Sequence, residues 1–202
     1  MPLVESMIKR MPVHFLRRRI KLDVRFPESS ILNQNEGRLL NGYAAVSTTQ
    51  RWKLIFRASR DGFAAAKFHQ FCDNQPNNYI VIKSTNGNVF GGFTPLNWNG
   101  NGVWKVDGNS FIFSLRNGDN TPMKILNHTG QYSIGCHSSY GPRFGGADLY
   151  ISDNSNANQS SYSNLGHSYK HPTYAYESNE SKNFLAGSFN FKVSEIEVFI
   201  KQ

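Results

Sequence analysis

Residues 52–74 read WKLIFRASRDGFAAAKFHQFCDN. The first six alternate, with Trp52, Leu54 and Phe56 on one side and Lys53 and Arg57 on the other, the pattern of a half-buried strand. Ser59, Arg60, Asp61 and Gly62 break the alternation, and Asp and Gly are residues that tolerate tight turns and helix starts. Beyond the break the spacing predicts a short helix over Phe63–Cys72, with Phe63, Phe68 and Phe71 along an apolar stripe. A strand feeding a helix through a polar elbow gathers Ser59, Arg60, Asp61 and the free helix N–H groups into one small volume. That elbow is the first candidate site.

Outward from this unit, strand signals dominate. Tyr79–Lys83 and Val89–Phe93 flank Asn86-Gly87, the dipeptide favoured in tight hairpins. Gly91 and Gly92 within the return strand predict a bulge or a close approach by another backbone. Ser110–Leu115 is the most hydrophobic strand, and Asn117–Asn120 turns it into Met123–Leu126. Tyr132–His137, Asp148–Ser152, Phe184–Phe191 and Ser194–Ile200 complete the set. Pro95–Asp107 reads as a loop whose Trp98 and Trp104 are either lids on the core or a contact surface, lids fitting better with the usual burial of Trp. Residues 153–183, rich in Ser, Asn and Tyr, read as a long surface excursion. A second helix is expected at Gln34–Tyr43, with Leu39, Leu40 and Tyr43 inward. The fold class that follows is mainly β (α+β): a two-layer antiparallel β-sandwich flanked by a few short helices.

Composition supports this. Charged residues make up 18% of the 202, below the usual ~25%, and Asn, Ser and Gly carry the polar share, favouring turns over long helices. The net charge of +8 is uneven: +5 of it sits in residues 1–26, where seven Lys and Arg face Glu5 and Asp23. Residues 1–28 are therefore read as a basic N-terminal arm, with Arg17, Arg18 and Arg19 at its centre, and 29–202 as the domain. Ile20, Leu22, Val24 and Phe26 alternate with charges and predict an extra edge strand, while the Arg-rich start also has the look of a mitochondrial presequence. Nucleic-acid binding is not expected outside this arm, because the rest of the sequence shows no phosphate-tracking stripe.

Cys72 and Cys136 make no disulfide framework at this size, and no C-x-x-C or zinc spacing accompanies them. Neither a secretory signal nor a run of ~20 apolar residues is visible. The expectation is an intracellular, cytoplasmic protein that carries no cofactor and no metal, with mitochondria as the alternative.

Catalytic constellations are weak. Ser59, Asp61 and His69 could compose a nucleophile set, but Ser59 lies outside a G-x-S-x-G elbow and His69 falls about two turns into the helix. Capping of the helix by Ser59 and Asp61 is the plainer role. Cys72 sits at the C-terminal end of that helix, where the dipole raises a thiol's pKa. His167 and His171 would converge on a metal only on a helix, which Gly166 and Pro172 oppose. Residues 141–149, GPRFGGADL, are no phosphate loop; the glycines are expected to let Phe144 tuck beneath while Asp148 bonds backbone N–H groups. Glu195 and Glu197, two apart in a strand, face one side, where they can serve acid/base chemistry, meet Arg57 or Arg60, or dock a basic partner.

RASRDGF at 57–63, FHQFCDN at 68–74, IKSTNGNVFGGF at 82–93, SFIFSL at 110–115, GPRFGGADLYI at 141–151 and EIEVF at 195–199 follow one another in an order that resembles the TLDc family, the oxidation-resistance domain. The likeness runs from about Ser29 to Lys201. It implies a β-sandwich with flanking helices, a protective role in oxidative stress, and association with the vacuolar-type proton ATPase (V-ATPase). The family brings no agreed catalytic residues. The motif positions that carry over are Ser59, Asp61, Gly62, Gly91, Gly92, Gly141, Pro142, Gly145, Asp148, Glu195 and Glu197. The resulting expectation is a non-enzymatic protein-interaction domain. The alternatives are a hydrolytic or redox enzyme at the Ser59–Asp61 elbow, and a nucleic-acid or acidic-membrane binder working through the arm.

Overall fold

In the computed structural model, which describes residues 25–202, the alternating segments become two six-stranded antiparallel sheets. The first holds, in spatial order, β1 (Trp52–Arg57), β12 (Val193–Lys201), β2 (Asn78–Ser84), β3 (Val89–Thr94), β5 (Phe111–Arg116) and β6 (Met123–Leu126). The second runs β11 (Asn190–Phe191), β10 (Ser161–Ser163), β9 (Leu149–Tyr150), β8 (Arg143–Phe144), β7 (Ile134–His137) and β4 (Asn101–Lys105). Four helices accompany them among the described residues: α1 (Gln34–Tyr43), α2 (Ala58–Asp61), α3 (Ala65–Cys72) and α4 (Asn179–Asn183). The architecture is the β-sandwich with short helices that the patterning predicts.

Period-two alternation sorts most of the first sheet's side chains into two apolar layers, but a register irregularity between Leu54 and Phe56 turns Phe56 to the face opposite Trp52 and Leu54, so the three do not share the one side their spacing predicts. Phe56, Ile80, Ile82, Phe90 and Ile112 meet Ile134, Phe144 and Leu149 of the second sheet in the central core. On the other face Trp52, Tyr79, Val81, Phe113 and Phe199 pack beneath Phe26, Ile31 and Leu40. Strand β2 is buried on both faces, which is why its middle, Tyr79 to Ile82, is continuously apolar. Each fully buried Phe or Ile stabilises the fold by about 1.5–3 kcal/mol, so the 26–46 cover is part of the fold.

Polar bonds set the position of that cover. Asn33 and Glu36 form a reciprocal capping box at the start of α1, satisfying donors that a helix N-terminus leaves free. The same Glu36 pairs with Arg116 of β5 at 2.6 Å. Trp52 donates its indole N–H to Asn41 Oδ1 at 2.7 Å, and Tyr79 its hydroxyl to the Leu40 carbonyl at 2.6 Å. The basic run Arg17, Arg18 and Arg19 and most of the strand expected over Ile20–Phe26 lie outside the described residues. Of that segment, Phe26 is buried against Trp52 and Phe199.

Several expectations need correction. The helix expected over Phe63–Cys72 begins at Ala65, because residues 58–61 close a separate turn and Gly62, at φ +108°, redirects the backbone. Ser59 and Asp61 do not cap α3. Its first N–H, from Ala65, goes to Asp153 Oδ1 at 2.6 Å, a residue 88 positions away. The stretch Pro95–Asp107 is not all loop, since β4 lies within it. Trp98 is a lid, fully buried, with its N–H on Asn78 Oδ1; Trp104 is not, being 40% exposed under the Arg143 guanidinium. Phe184–Phe191 is a turn that reaches strand geometry only at its last two residues. Residues 153–183 are a surface excursion only in part: both ends are largely exposed, while Leu165, Ser168, Tyr169 and His171 are buried, because nearby backbone and side chains satisfy their polar atoms.

Gly91 and Gly92 lie in regular β3, and the register irregularity falls one residue earlier, between Val89 and Phe90. A Cβ on Gly91 would overlap the Ile80 carbonyl, and one on Gly92 would enter the Phe144 ring. The expected close approach is therefore partly by a side chain, Phe144, which the second sheet presses into the gap.

Candidate functional site

The elbow is held from both sides. Asp61 reaches back to accept the Arg57 N–H at 2.9 Å and takes two hydrogen bonds from the Arg60 guanidinium at 2.8 Å. The Arg60 bond holds the Asp61 carboxyl below the usual carboxylate range. Ser59 and Arg60 are exposed. The Ser59 N–H donates to Glu195 Oε1 at 3.0 Å, and the same oxygen accepts the Ile196 N–H. Glu195 thus ties α2 to β12.

Glu197 has a different role. It is opposite Arg57 in the β1–β12 register and fully buried. Arg57 donates to its Oε1 at 2.7 Å and 3.0 Å. The Ser30 N–H and hydroxyl reach the same oxygen at 2.8 Å, and the Ser29 hydroxyl donates to Oε2 at 2.5 Å. Arg57 also bonds the Glu28 carbonyl. A buried carboxylate so supplied is a structural anchor for the segment entering the domain. The paired glutamates therefore do not share a water-filled acid/base site, and Arg60 pairs with Asp61, not with them.

His69 does not turn towards Ser59. Its Nδ1 pairs with Asp73 at 2.8 Å, and its Nε2 lies within 3.0 Å of the His137 and Tyr140 carbonyls. Ser59, His69 and Asp61 form no proton relay. Cys72 is fully buried, and burial pushes its thiol well above the ordinary value. The sequence placed the cause at the helix end; the larger cause is desolvation.

The glycine-rich segment forms a second cluster. Asp148, fully buried, accepts N–H bonds from Gly166 and Tyr169 at 3.0 Å and from Ser168 at 2.9 Å. Burial raises its pKa, and those three bonds pull the other way. Gly145, at φ +67°, passes so close that any Cβ would overlap Asp148 Oδ2. Gly141 and Pro142 exchange backbone bonds with Ile151. Gly145, Asp148 and their neighbours thus form a clasp on residues 166–169. The motif residues separate into the elbow with Glu195 and Glu197, the Asp148 clasp, and the Gly92–Phe144 contact that locks the sheets.

Beside the elbow, Lys67, Gln70 and Phe71 lie on the exposed side of α3, with Phe71 leaning on Phe56 at 6.1 Å. The sequence pattern assigned Phe71 to the buried stripe and missed this outward face. Two cavities of the described residues lie elsewhere: one of about 240 Å³ beside Asp119 and Tyr174, the other of about 310 Å³ beside Tyr43 and Lys124. Neither is lined by Ser59, Asp61, Glu195 or Glu197. No group of three or more His, Cys, Asp or Glu among the described residues is arranged to hold a metal ion, and no helix among them is long and apolar enough to cross a membrane.

A family model described as the TLDc domain matches residues 26–201. The chain belongs to the TLDc-domain family. The start of that match coincides with Phe26, the first apolar residue of the cover over the first sheet. This TLDc protein is also similar to the mouse protein named MTOR-associated protein MEAK7, at 27% identity over 102 residues. The similarity takes in 50% of this sequence and 22% of the mouse protein, so the match spans only a fraction of that relative's length.

Proposed function

We propose that this TLDc domain is a non-enzymatic protein-interaction module that docks through the elbow and the outward side of α3, with Ser59, Arg60, Lys67 and Phe71 as its contact residues. One observation carries the reading. Around the elbow, Asp61, His69, Glu195 and Glu197 are engaged by neighbouring backbone and side chains, while Lys67 and Phe71, and the Arg60 guanidinium beside Asp61, are open to solvent. Catalysis needs a group free to move a proton or attack; docking needs a firm frame with exposed anchors. Gly62, Gly91, Gly92, Gly141, Pro142, Gly145 and Asp148 shape the frame.

The family resemblance supplies the V-ATPase as partner and protection against oxidative stress as the consequence. The test is the immobilised full-length protein probed with the purified soluble sector of that ATPase, beside an Arg60→Glu, Lys67→Glu double variant whose circular dichroism and cooperative melt show that it is folded. Retention by the original protein and about tenfold weaker retention by the variant supports the reading, since loss of anchors at an interface centre costs 1–2 kcal/mol or more. Equal retention removes the elbow from the contact; no retention by either removes the ATPase. Cells expressing the protein should also survive peroxide better than cells expressing the variant.

The name of the mouse relative favours a second reading, in which the protein joins an mTOR-linked assembly. The same immobilised protein, probed for mTOR, separates the two.

A further inference from the structure

At one end of the first sheet, the turn after α1 and the ends of β1, β3, β5, β6 and β12 enclose the cleft of about 310 Å³. Its floor is aromatic. Phe93 and Phe111 stack with centroids 5.2 Å apart, and Trp52 meets Phe93 edge-on at 6.1 Å. Its rim carries Lys124, Leu126 and Lys201, and no Asp or Glu lines it. Small-molecule sites occupy roughly 300–1,000 Å³ and combine apolar walls with a few placed polar groups, so the cleft sits at the small end of that range.

Lys124 is the placed group. Its ammonium lies 4.5 Å over the Phe111 ring and donates to the Tyr43 carbonyl at 2.6 Å. An ammonium has three donors, and no carboxylate among the described residues meets this one. Burial pushes its pKa below the ordinary lysine value, and an anion beside it would favour the charged form. Lys201, exposed at the end of β12, adds a second positive charge at the mouth.

We infer that this cleft binds a small apolar monocarboxylate, with the carboxylate on Lys124 and the body of the ligand against the Phe93 edge and the exposed Leu126. A phosphate would call for a richer set of donors, such as arginine forks or converging backbone N–H groups, and the rim offers two ammoniums. A neutral apolar ligand would leave Lys124 desolvated without a partner. The site is distinct from the elbow, and its occupancy is independent of the docking proposed there.

The test is an amide NMR titration of the full-length protein with 3-phenylpropionate, and with 3-phenylpropanol as the uncharged match. Saturable shifts centred on Tyr43–Val46 and Phe111 are expected, with the alcohol weaker by about tenfold, the value of one charge-assisted hydrogen bond. Lys124→Met should weaken the acid by a similar factor. If that variant fails to fold, Leu126→Glu decides, because Leu126 is exposed and a carboxylate there repels the ligand. The inference is overturned by no saturable shift at this cleft, by alcohol binding as tight as acid binding, or by an affinity unchanged in Leu126→Glu. Once the acid binds, N-acetyl-glycyl-phenylalanine separates the sources. Equal or tighter binding of the peptide assigns the cleft to the carboxy-terminus of a polypeptide, and its exclusion assigns it to a free acid.

Discussion

Arg57 and Glu197, 140 residues apart in the sequence, meet at 2.7 Å across the β1–β12 pair, and the carboxylate is fully buried while the guanidinium is partly solvated. This pair, with Ser29 and Ser30, anchors the segment entering the domain to the strand near its end. Glu197→Ala should therefore destabilise the fold by about 3 kcal/mol, because it strands the Arg57 and serine donors. Arg57→Ala should cost a comparable amount by leaving a buried charge partly unmet. In urea unfolding the double variant should cost less than the two singles together, with a coupling of roughly 1–3 kcal/mol. Simple additivity would mean that the pair is not a unit.

Gly92 and Phe144 join the two sheets. Gly92→Ala places a methyl group inside the Phe144 ring, and overpacking of this kind costs about 1–3 kcal/mol. Phe144→Leu in the same protein should recover part of that loss, although by itself it also destabilises. Thermal melts of the two singles and the double check this, and a Gly92→Ala protein as stable as the original would contradict the close approach.

Asp148→Asn should loosen the clasp on residues 166–169. The amide can keep its oxygen on the Gly166 and Tyr169 N–H groups at the Oδ1 position, but its NH2 then replaces Oδ2 and faces the Ser168 N–H. A loss of about 1–3 kcal/mol is expected, with faster hydrogen exchange at those three amides. Unchanged exchange there would show that the clasp does not depend on the charge.

The low Asp61 pKa has a defined consequence for pH. A carboxyl whose folded pKa lies below its unfolded value contributes stability that is present above the unfolded value, near 4, and lost as pH falls through the folded one. Asp61→Asn should flatten this part of the acid limb of the stability curve below about pH 4 while leaving its shape near neutrality unchanged. An acid limb identical in both proteins would remove Asp61 as a contributor.

Cys72 and Cys136 are buried, and both thiols are pushed up by burial. The native protein should react with a thiol-specific disulfide reagent far more slowly than the urea-unfolded form, at a rate that follows opening of the fold. Rapid stoichiometric labelling of Cys72 in the native state would revive the redox alternative.

Local pattern was sufficient wherever neighbouring residues set the outcome. The strands at 52–57 and 195–200, the Asn86-Gly87 turn and the helix at Gln34–Tyr43 are readable within a few positions, because they depend on period and on the groups next in line; the irregularity that turns Phe56 away from Trp52 and Leu54 is not. The tuck of Phe144 and the backbone bonds of Asp148 were readable too, since glycines beside a bulky ring and a short acid leave few other arrangements.

The burial of the middle of 153–183, Leu165 to His171 above all, was hidden, because a Ser- and Asn-rich segment reads as surface until distant backbone groups are seen to satisfy it. The same holds for Trp98 and Trp104: six positions apart, they differ in whether Asn78 or solvent lies opposite.

By itself the sequence determined the six strands of the first sheet, the Asn86-Gly87 turn, the sandwich class and the TLDc membership, all properties of local periodicity and motif order. Only the tertiary structure decided that Glu197 is an anchor, that Ser59 and His69 do not cooperate, and that Lys124 stands over an aromatic cleft without a carboxylate. Each of these depends on which groups from remote segments share a few ångströms, and linear spacing carries no record of that.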